Sequence, residues 1–350
     1  MNPSIPKEHP RIIRGDCVEE MNRMNPESID AVVTDPPYAI ARFQQGDETW
    51  DANAIRNQAR SGVDKDLSLG EGFELWTQGW AASCFRIMRP GAHLLAFGSS
   101  RTFHRLIAGI ENAGFEIRDV LMWLYSSGMP KSRRLTRGRA TGLKPAYEPI
   151  VLARRPLDTT VEQAAAGRGV GTLEVGACRV HGRHPANVIF SHGPKCRAGR
   201  CGGNCPVSRV EAGGYERRAG ARLPIDRVFY CSKASRRERD AGCESLPTHK
   251  LNLFPRAGRR PGADPKPVKN HHPTVKPVEV MRWLVRLSCP EGGLLLDPFC
   301  GSGTTGVATT LEGRSFLGIE KDQSFAAVAK ARIEHASEPQ QDKTHCTREE

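Results

Sequence analysis

The sequence predicts an α/β fold, a doubly wound and largely parallel sheet interrupted by a basic insert, on three observations. Short runs of small, apolar or β-branched residues alternate with helically spaced apolar stretches near both ends of the chain, which is the signature of β–α alternation. Two of those runs end in an acid followed at once by proline: Asp35 before Pro36-Pro37-Tyr38, and Asp297 before Pro298. Between them, residues 126–271 hold 29 Lys/Arg against 11 Asp/Glu, whereas the rest of the chain holds 22 against 28.

Taken in order, Ile12 and Ile13 read as a brief strand ended by Gly15-Asp16, and Cys17 to Met24 as a short helix. Ile29 to Thr34 follow as a strand buried on both faces. Two strands joined by a helix make a right-handed βαβ unit, which places Asp16 at a carboxyl edge beside Asp35. Asp16 reads equally well as the N-cap of the helix behind it. Two prolines cannot continue a strand ladder, so the chain leaves the sheet directly after Asp35. An ordinary strand exit would look the same. Residues 39–72 are polar, with Trp50-Asp51 isolated among them, and a loop of that length is usually functional or mobile. Phe73, Trp76, Trp80, Cys84 and Met88 recur at helical spacing and are expected to face the core. Pro90-Gly91 stops that helix; Ala92–Phe97 makes a strand, residues 101–113 a helix with Leu106, Ile107 and Ile110 on one face, and Phe115–Tyr125 one strand or two.

From Ser126 the period is lost. Pro149–Ala153 can form one more strand, but residues 156–270 have too few apolar runs to bury a large core. Regular texture resumes with a helix over Pro277–Ser288, a strand over Leu294–Leu296, a glycine turn over Asp297–Gly303 and a helix over Thr304–Glu312. A strand ending at Glu320, a helix over Ser324–Glu334 and a polar tail, expected to be disordered, complete the chain. The expected division is 1–125 and 271–336 as two halves of one domain, 126–270 as the insert and 337–350 as the tail.

The net charge of +12 is the sum of an insert at +18 and a remainder at −6. That distribution suits a polyanion-facing insert on a neutral body, or simply a solvated basic surface. With no apolar run of about 18 residues and no charged-then-apolar leader, the chain is expected to be soluble, cytoplasmic and off the membrane. Its 11 cysteines are odd in number and mostly isolated in apolar surroundings, so reduced thiols are expected.

The stretch LLLDPFCGSGTTGVATTLEGRSFLGIEKD reads as strand, Gly-x-Gly turn, helix, strand and acid. Gly301 and Gly303 permit a close backbone approach, and Glu320 is placed to bind a ribose diol. The lysine of a P-loop is missing, and Asp297 would face an ammonium group and repel phosphate. With the aromatic Phe299, this suits S-adenosylmethionine better than a nicotinamide or flavin dinucleotide. Methyl transfer to an exocyclic amine is an in-line displacement that needs positioning. Asp35 can accept one N–H and the Pro36 carbonyl the other, while Tyr38 offers a face for an extruded base. No cysteine stands where attack on a ring carbon would need one, which argues against cytosine-C5 chemistry.

DPPY and DPFCGSGTTG resemble motifs IV and I of the DNA amino-methyltransferases. Their order, catalytic motif first and cofactor motif last, resembles the permuted β class common in restriction–modification and orphan enzymes. HPANVIFSHGPKC and YCSKASRRERD resemble phage and prophage members. The resemblance implies a Rossmann-like, circularly permuted methyltransferase sheet, with Asp35, Pro36, Pro37 and Tyr38 catalytic. Asp297, Phe299, Gly301, Ser302, Gly303, Thr304 and Glu320 are then cofactor-binding. To these it adds Asp16 near the cofactor adenine, and Thr274 and Lys276 from the segment His272–Pro277 that lines the cofactor pocket. The implied substrate is double-stranded DNA, read by the basic insert, with Arg133, Arg134, Arg236 and Arg237 as candidates for phosphate contacts. The DPPY form is commoner in adenine-N6 enzymes, and cytosine-N4 methylation stays open. So do an inactive DNA-binding protein, an RNA or protein-glutamine substrate, a homodimer and a partner nuclease. Within the insert, His192, Cys196, Cys201 and Cys205 form a candidate structural zinc set, although the spacing is not the familiar C-x2-C.

Overall fold

A computed structural model describes residues 10–39, 43–45, 48–50, 68–125, 139–140, 142–179, 182, 184–190, 215–216, 222–223, 229–230, 233–249 and 267–338. In chain order the strands are β1 (Arg11–Arg14), β2 (Ile29–Thr34), β3 (Phe43–Gln45), β4 (Glu48–Trp50), β5 (Met88–Phe97), β6 (Glu116–Leu124), β7 (Tyr147–Arg154), β8 (Val188–Phe190), β9 (Tyr215–Glu216), β10 (Arg222–Leu223), β11 (Phe229–Tyr230), β12 (Leu294–Asp297) and β13 (Ser315–Glu320). The helices that frame them are α1 (Cys17–Asn22), α2 (Leu69–Ile87), α3 (Phe103–Asn112), α4 (Val161–Arg168), α5 (Arg236–Asp240), α6 (Val278–Ser288), α7 (Thr304–Leu311) and α8 (Gln323–Ser337).

Nine strands form one sheet in the order β1-β13-β12-β2-β5-β7-β6-β8-β11. All neighbouring pairs are parallel except the two that β7 makes, with β5 and with β6. The chain winds outward in both directions from the middle. β12 leads through α7 to β13 on one side, and β2 leads through α2 to β5 on the other. The strand order therefore reverses between β12 and β2, the place where open α/β sheets bind ligands. Register pairs Leu295 with Ala31 and Leu296 with Val32, so Asp297 and Thr34-Asp35 leave the sheet side by side.

Each face of the sheet buries its own core. Ala31, Val33, Leu95, Phe97 and Trp123 pack under α6, which contributes Val280, Met281, Trp283, Leu284, Val285 and Leu287. Val32, Leu94, Ala96 and Val151 pack on the other face under Trp80, Cys84, Leu106 and Ile110. Each Val, Leu, Ile, Phe or Met among them contributes roughly 1.5–3 kcal/mol before the cost of ordering it. Among the described residues no helix is long and apolar enough to cross a membrane.

Three features differ from the expected layout. β1 and β2 are parallel but not neighbours, because β13 and β12 lie between them. Asp16 is thus at the sheet's far edge rather than beside Asp35, where it caps α1 by accepting from Val18 N at 3.0 Å and approaches Lys321 at 3.8 Å. Tyr147–Arg154, inside the expected insert, is a central strand between β5 and β6. The alternation of Ile150 and Leu152 against Val151 and Ala153, each pair buried in a different core, explains its place there. Helix α6 starts at Val278, whose N–H donates to Glu238 Oε1 at 2.7 Å, so its N-terminus is capped from α5, distant in sequence.

Candidate active site

The carboxyl edge of the sheet gathers acids from three strands. Thr34, at the end of β2, donates from Oγ1 to Asp297 Oδ1 at 2.7 Å, crossing the switch point. Thr305 Oγ1 donates to the other Asp297 oxygen at 2.5 Å, and Phe299 N–H donates to Oδ1 at 3.1 Å. Glu320, ending β13, accepts from Gly301 N at 2.7 Å and from Asp322 N at 2.8 Å. Burial pushes the Asp297 carboxyl up to about 6 and that of Glu320 up to about 7, against the hydrogen bonds that pull both down.

Both glycines of the turn are demanded by protein neighbours. Gly301 has φ +52° and a Cβ there would lie 2.8 Å from His272 Nε2; Gly303 has φ +75° and a Cβ there would lie 2.8 Å from the Ala329 Cα. An imidazole and α8 thus stand against the turn at the Cβ positions of these two glycines. Ser302 and Thr304 are likewise held from below. Arg332 Nη1 donates to the Ser302 carbonyl at 2.6 Å, to Ser302 Oγ at 3.2 Å and to Thr304 Oγ1 at 3.0 Å. Arg332 carries no sequence signal, since an arginine beside Lys330 and Glu334 in a helix reads as a solvated charge. The Phe299 ring lies 5.5 Å from both Trp76 and Trp80. Thr274 N–H donates to His272 Nδ1 at 3.4 Å, and burial among Lys276, Arg239 and Arg332 lowers the His272 imidazole to about 3.

The DPPY segment is wired to residues far from it. Tyr38 OH donates to Asp35 Oδ1 at 2.6 Å, and the Tyr38 carbonyl accepts from Thr102 Oγ1 at 2.8 Å. Lys276 Nζ donates to Asp35 Oδ2 and sits 3.3 Å from Glu148 Oε2. It also lies 3.3 Å from Tyr38 OH and 4.8 Å from the centre of the Phe97 ring. Tyr125 OH donates to Glu148 Oε1 at 3.4 Å, and Lys233 Nζ stands 3.6 Å from the centre of the Tyr125 ring. Pro36 is buried, and Pro37 is half-buried beside Tyr38. Lys276, expected in the cofactor pocket, therefore joins the Asp35 cluster. Burial raises the Asp35 carboxyl, the Lys276 ammonium draws it back and Glu148 adds repulsion.

Glu148, Tyr125 and Lys233 were not singled out from the sequence. Glu148 opens an antiparallel strand, so its amino end falls at the carboxyl edge of the parallel ones. Leu124, just before Tyr125, pairs with Tyr147, just before Glu148. The signal was an acid before Pro149 and a long apolar run. Reading it required knowing the strand's direction.

Other candidate residues stand apart from this cluster. His192, Cys196, Cys201 and Cys205 lie outside the described residues, as do Arg133 and Arg134. Among the described residues no group of three or more His, Cys, Asp or Glu is arranged to hold a metal. Arg236 is occupied at the surface, donating to the Pro267 carbonyl and pairing with Asp240 at 3.7 Å.

The sheet and its acid-lined switch point define a Rossmann-like α/β enzyme domain. A solved structure described as PvuII DNA methyltransferase (cytosine-N4-specific) shares that fold, with a TM-score of 0.57 at 15% identity, covering 95% of this chain and 88% of its own. The Haemophilus influenzae type II methyltransferase M.HindIII is 21% identical over 360 residues, 92% of this chain and 94% of the relative. The type II methyltransferase M.HinfI, also from Haemophilus influenzae, is 22% identical over 327 residues, 92% of this chain and 67% of the relative. A family model described as DNA methylase, of the N6/N4 type, matches residues 29–331. The chain belongs to that family, the DNA amino-methyltransferases.

Proposed function

We propose that the protein transfers a methyl group from S-adenosylmethionine to the exocyclic N6 amine of adenine in double-stranded DNA, at a specific sequence. The observation that carries this reading is Asp35, a half-buried carboxyl at the switch point whose two oxygens face Tyr38 OH and Lys276 Nζ. In this reading Asp35 accepts one amine N–H and the Pro36 carbonyl accepts the other. That favours a pyramidal nitrogen with its lone pair directed in line at the methyl carbon. Tyr38, held by its hydroxyl and by Thr102, presents its ring to the extruded base. As the nitrogen forms its new bond it gives up a proton, which Asp35 is placed to accept in this reading.

S-adenosylmethionine supplies an electrophilic methyl on a sulfonium. The residues present fit such a cation: burial raises Asp297 and Glu320, Asp35 raises Asp297 further, and Asp297 raises Glu320. A positive ligand relieves that mutual repulsion. In this reading the ligand rests against the turn carrying Phe299, Gly301, Ser302, Gly303 and Thr304, with Glu320 toward a ribose and Asp16 and Thr274 at the margin. The aspartate at position 35, rather than serine, supports adenine. The likeness to a protein described as cytosine-N4-specific keeps the other amine as the alternative product.

The test is mass analysis of nucleosides from unmethylated DNA incubated with the protein and S-adenosylmethionine, with Asp35→Ala beside it. N6-methyladenine from the wild type alone is expected. N4-methylcytosine retains the mechanism and changes the base, while no modified base rejects the reading.

A further inference from the structure

Lys276 stands against Asp35, the carboxyl to which the proposed function assigns the target amine. Both oxygens of Asp35 are taken by protein donors, Oδ1 by Tyr38 OH at 2.6 Å and Oδ2 by Lys276 Nζ. Each oxygen keeps a second lone pair, so an incoming amine either shares Asp35 with these donors or takes the place of one of them. The lysine side chain is only 7% exposed, so an ammonium that leaves Asp35 needs another partner inside the protein, an unpaired buried charge being costly. A second carboxylate is already within reach, because Glu148 Oε2 lies 3.3 Å from Lys276 Nζ and 3.3 Å from Tyr38 OH. Tyr125 OH steadies the other Glu148 oxygen at 3.4 Å.

We propose that Lys276 is a placeholder for the target amine, donating to Asp35 in the base-free protein and passing to Glu148 when the amine arrives. This rests on the reading of Asp35 as the amine acceptor. The exchange makes and breaks hydrogen bonds only, and the ammonium stays protonated throughout. Two consequences follow from the geometry. The Lys276 ammonium offsets part of the burial that favours the neutral form of the Asp35 carboxyl while it waits. Capture of the base does not strand a buried charge, because Glu148 receives it. Lys276 and Glu148 are thus positioning residues, acting through Asp35. The groups facing Asp35 are Lys276 from the segment before α6, Tyr38 from the turn after β2 and Glu148 from the start of β7. Asp297 at the end of β12 interacts with it as well. Tyr125 bears on it through Glu148, and Lys233 bears on Tyr125.

The experiment compares wild type, Glu148→Gln, Lys276→Met and the double variant as full-length proteins. Methyl transfer to unmethylated phage DNA is followed across pH, and S-adenosylmethionine binding is measured by calorimetry. Glu148→Gln keeps the shape and removes the charge that receives the lysine. It is expected to lower kcat/KM for DNA by about tenfold to a hundredfold, the loss of one charge-assisted hydrogen bond. In the Lys276→Met background there is nothing to relocate, and the same substitution is expected to cost less than about twofold. Lys276→Met alone is expected to move the acidic limb of the rate profile to higher pH, since Asp35 loses its cation. Equal costs of Glu148→Gln in both backgrounds, or an unmoved limb, overturn the exchange while methylation by the wild type upholds the underlying reading. A wild type that puts no methyl group on DNA overturns both. Should Lys276→Met lose cofactor binding, Lys276→Gln, which keeps a polar head of similar reach, replaces it in the same comparison.

Discussion

Gly303→Ala is expected to destabilise the fold by about 2–5 kcal/mol, from two separable causes. The first is conformational: Gly303 has φ +75°, and an L-residue in the left-handed region costs roughly 1–2 kcal/mol. The second is steric. The new Cβ would lie 2.8 Å from the Ala329 Cα and 3.0 Å from its carbonyl oxygen, and these backbone atoms of α8 cannot swing aside. Overpacking of this kind costs roughly 1–3 kcal/mol. Gly313 supplies the control. Its φ is +68° and nothing lies within 4 Å of its Cβ position, so Gly313→Ala carries the conformational cost alone. Urea unfolding of both variants, without cofactor, measures the two values. The gap between them is the steric contribution, and calorimetry shows whether the displaced turn also loses S-adenosylmethionine. A Gly303→Ala protein as stable as Gly313→Ala would refute the claim that α8, rather than a ligand, imposes that glycine.

Two further outcomes follow from the site and from the insert. Because burial raises Asp297 to about 6 and Glu320 to about 7, above their ordinary values, their contribution to stability is complete at low pH and is lost as pH rises through those values. Unfolding of the cofactor-free protein at a series of pH values should show that fall, and affinity for the cationic S-adenosylmethionine should rise over the same window. If affinity is flat between pH 5 and 8, within the window where such groups titrate, these acids do not sense the ligand. Elemental analysis of the purified protein tests the zinc set proposed from the sequence, for which about one zinc per chain is the stoichiometry of a single His-Cys-Cys-Cys site. A folded protein without metal removes His192, Cys196, Cys201 and Cys205 from that role.

Much of the architecture was legible because it rests on local signals. Buried strands announced themselves as apolar runs, and α2, α3, α6 and α8 by the spacing of residues such as Trp80, Leu106 and Leu284. Prolines and glycines marked where each element stops. The two motifs that define the family are contiguous stretches, so a single chain sufficed to pair Asp35-Pro36-Pro37-Tyr38 with Asp297-Pro298-Phe299. What escaped the sequence depends on which strands become neighbours. Asp16 was expected beside Asp35 because β1 and β2 are adjacent in the chain, but β13 and β12 return from the far end to separate them. Lys276 was assigned to the cofactor by its motif, and only the packing of the segment before α6 against β5 brings its ammonium to Asp35, Glu148 and Phe97. Glu148 owes its place to a strand that runs against its neighbours, and Arg332 owes its burial to the helix that closes over the glycine turn. Residue types and their spacing determined by themselves that this chain would carry an acid and an aromatic at the end of a buried strand, and a glycine turn at the end of another. The tertiary structure alone decided which distant charges meet that acid, because burial energy depends on the order of strands, and that order is a property of the whole sheet.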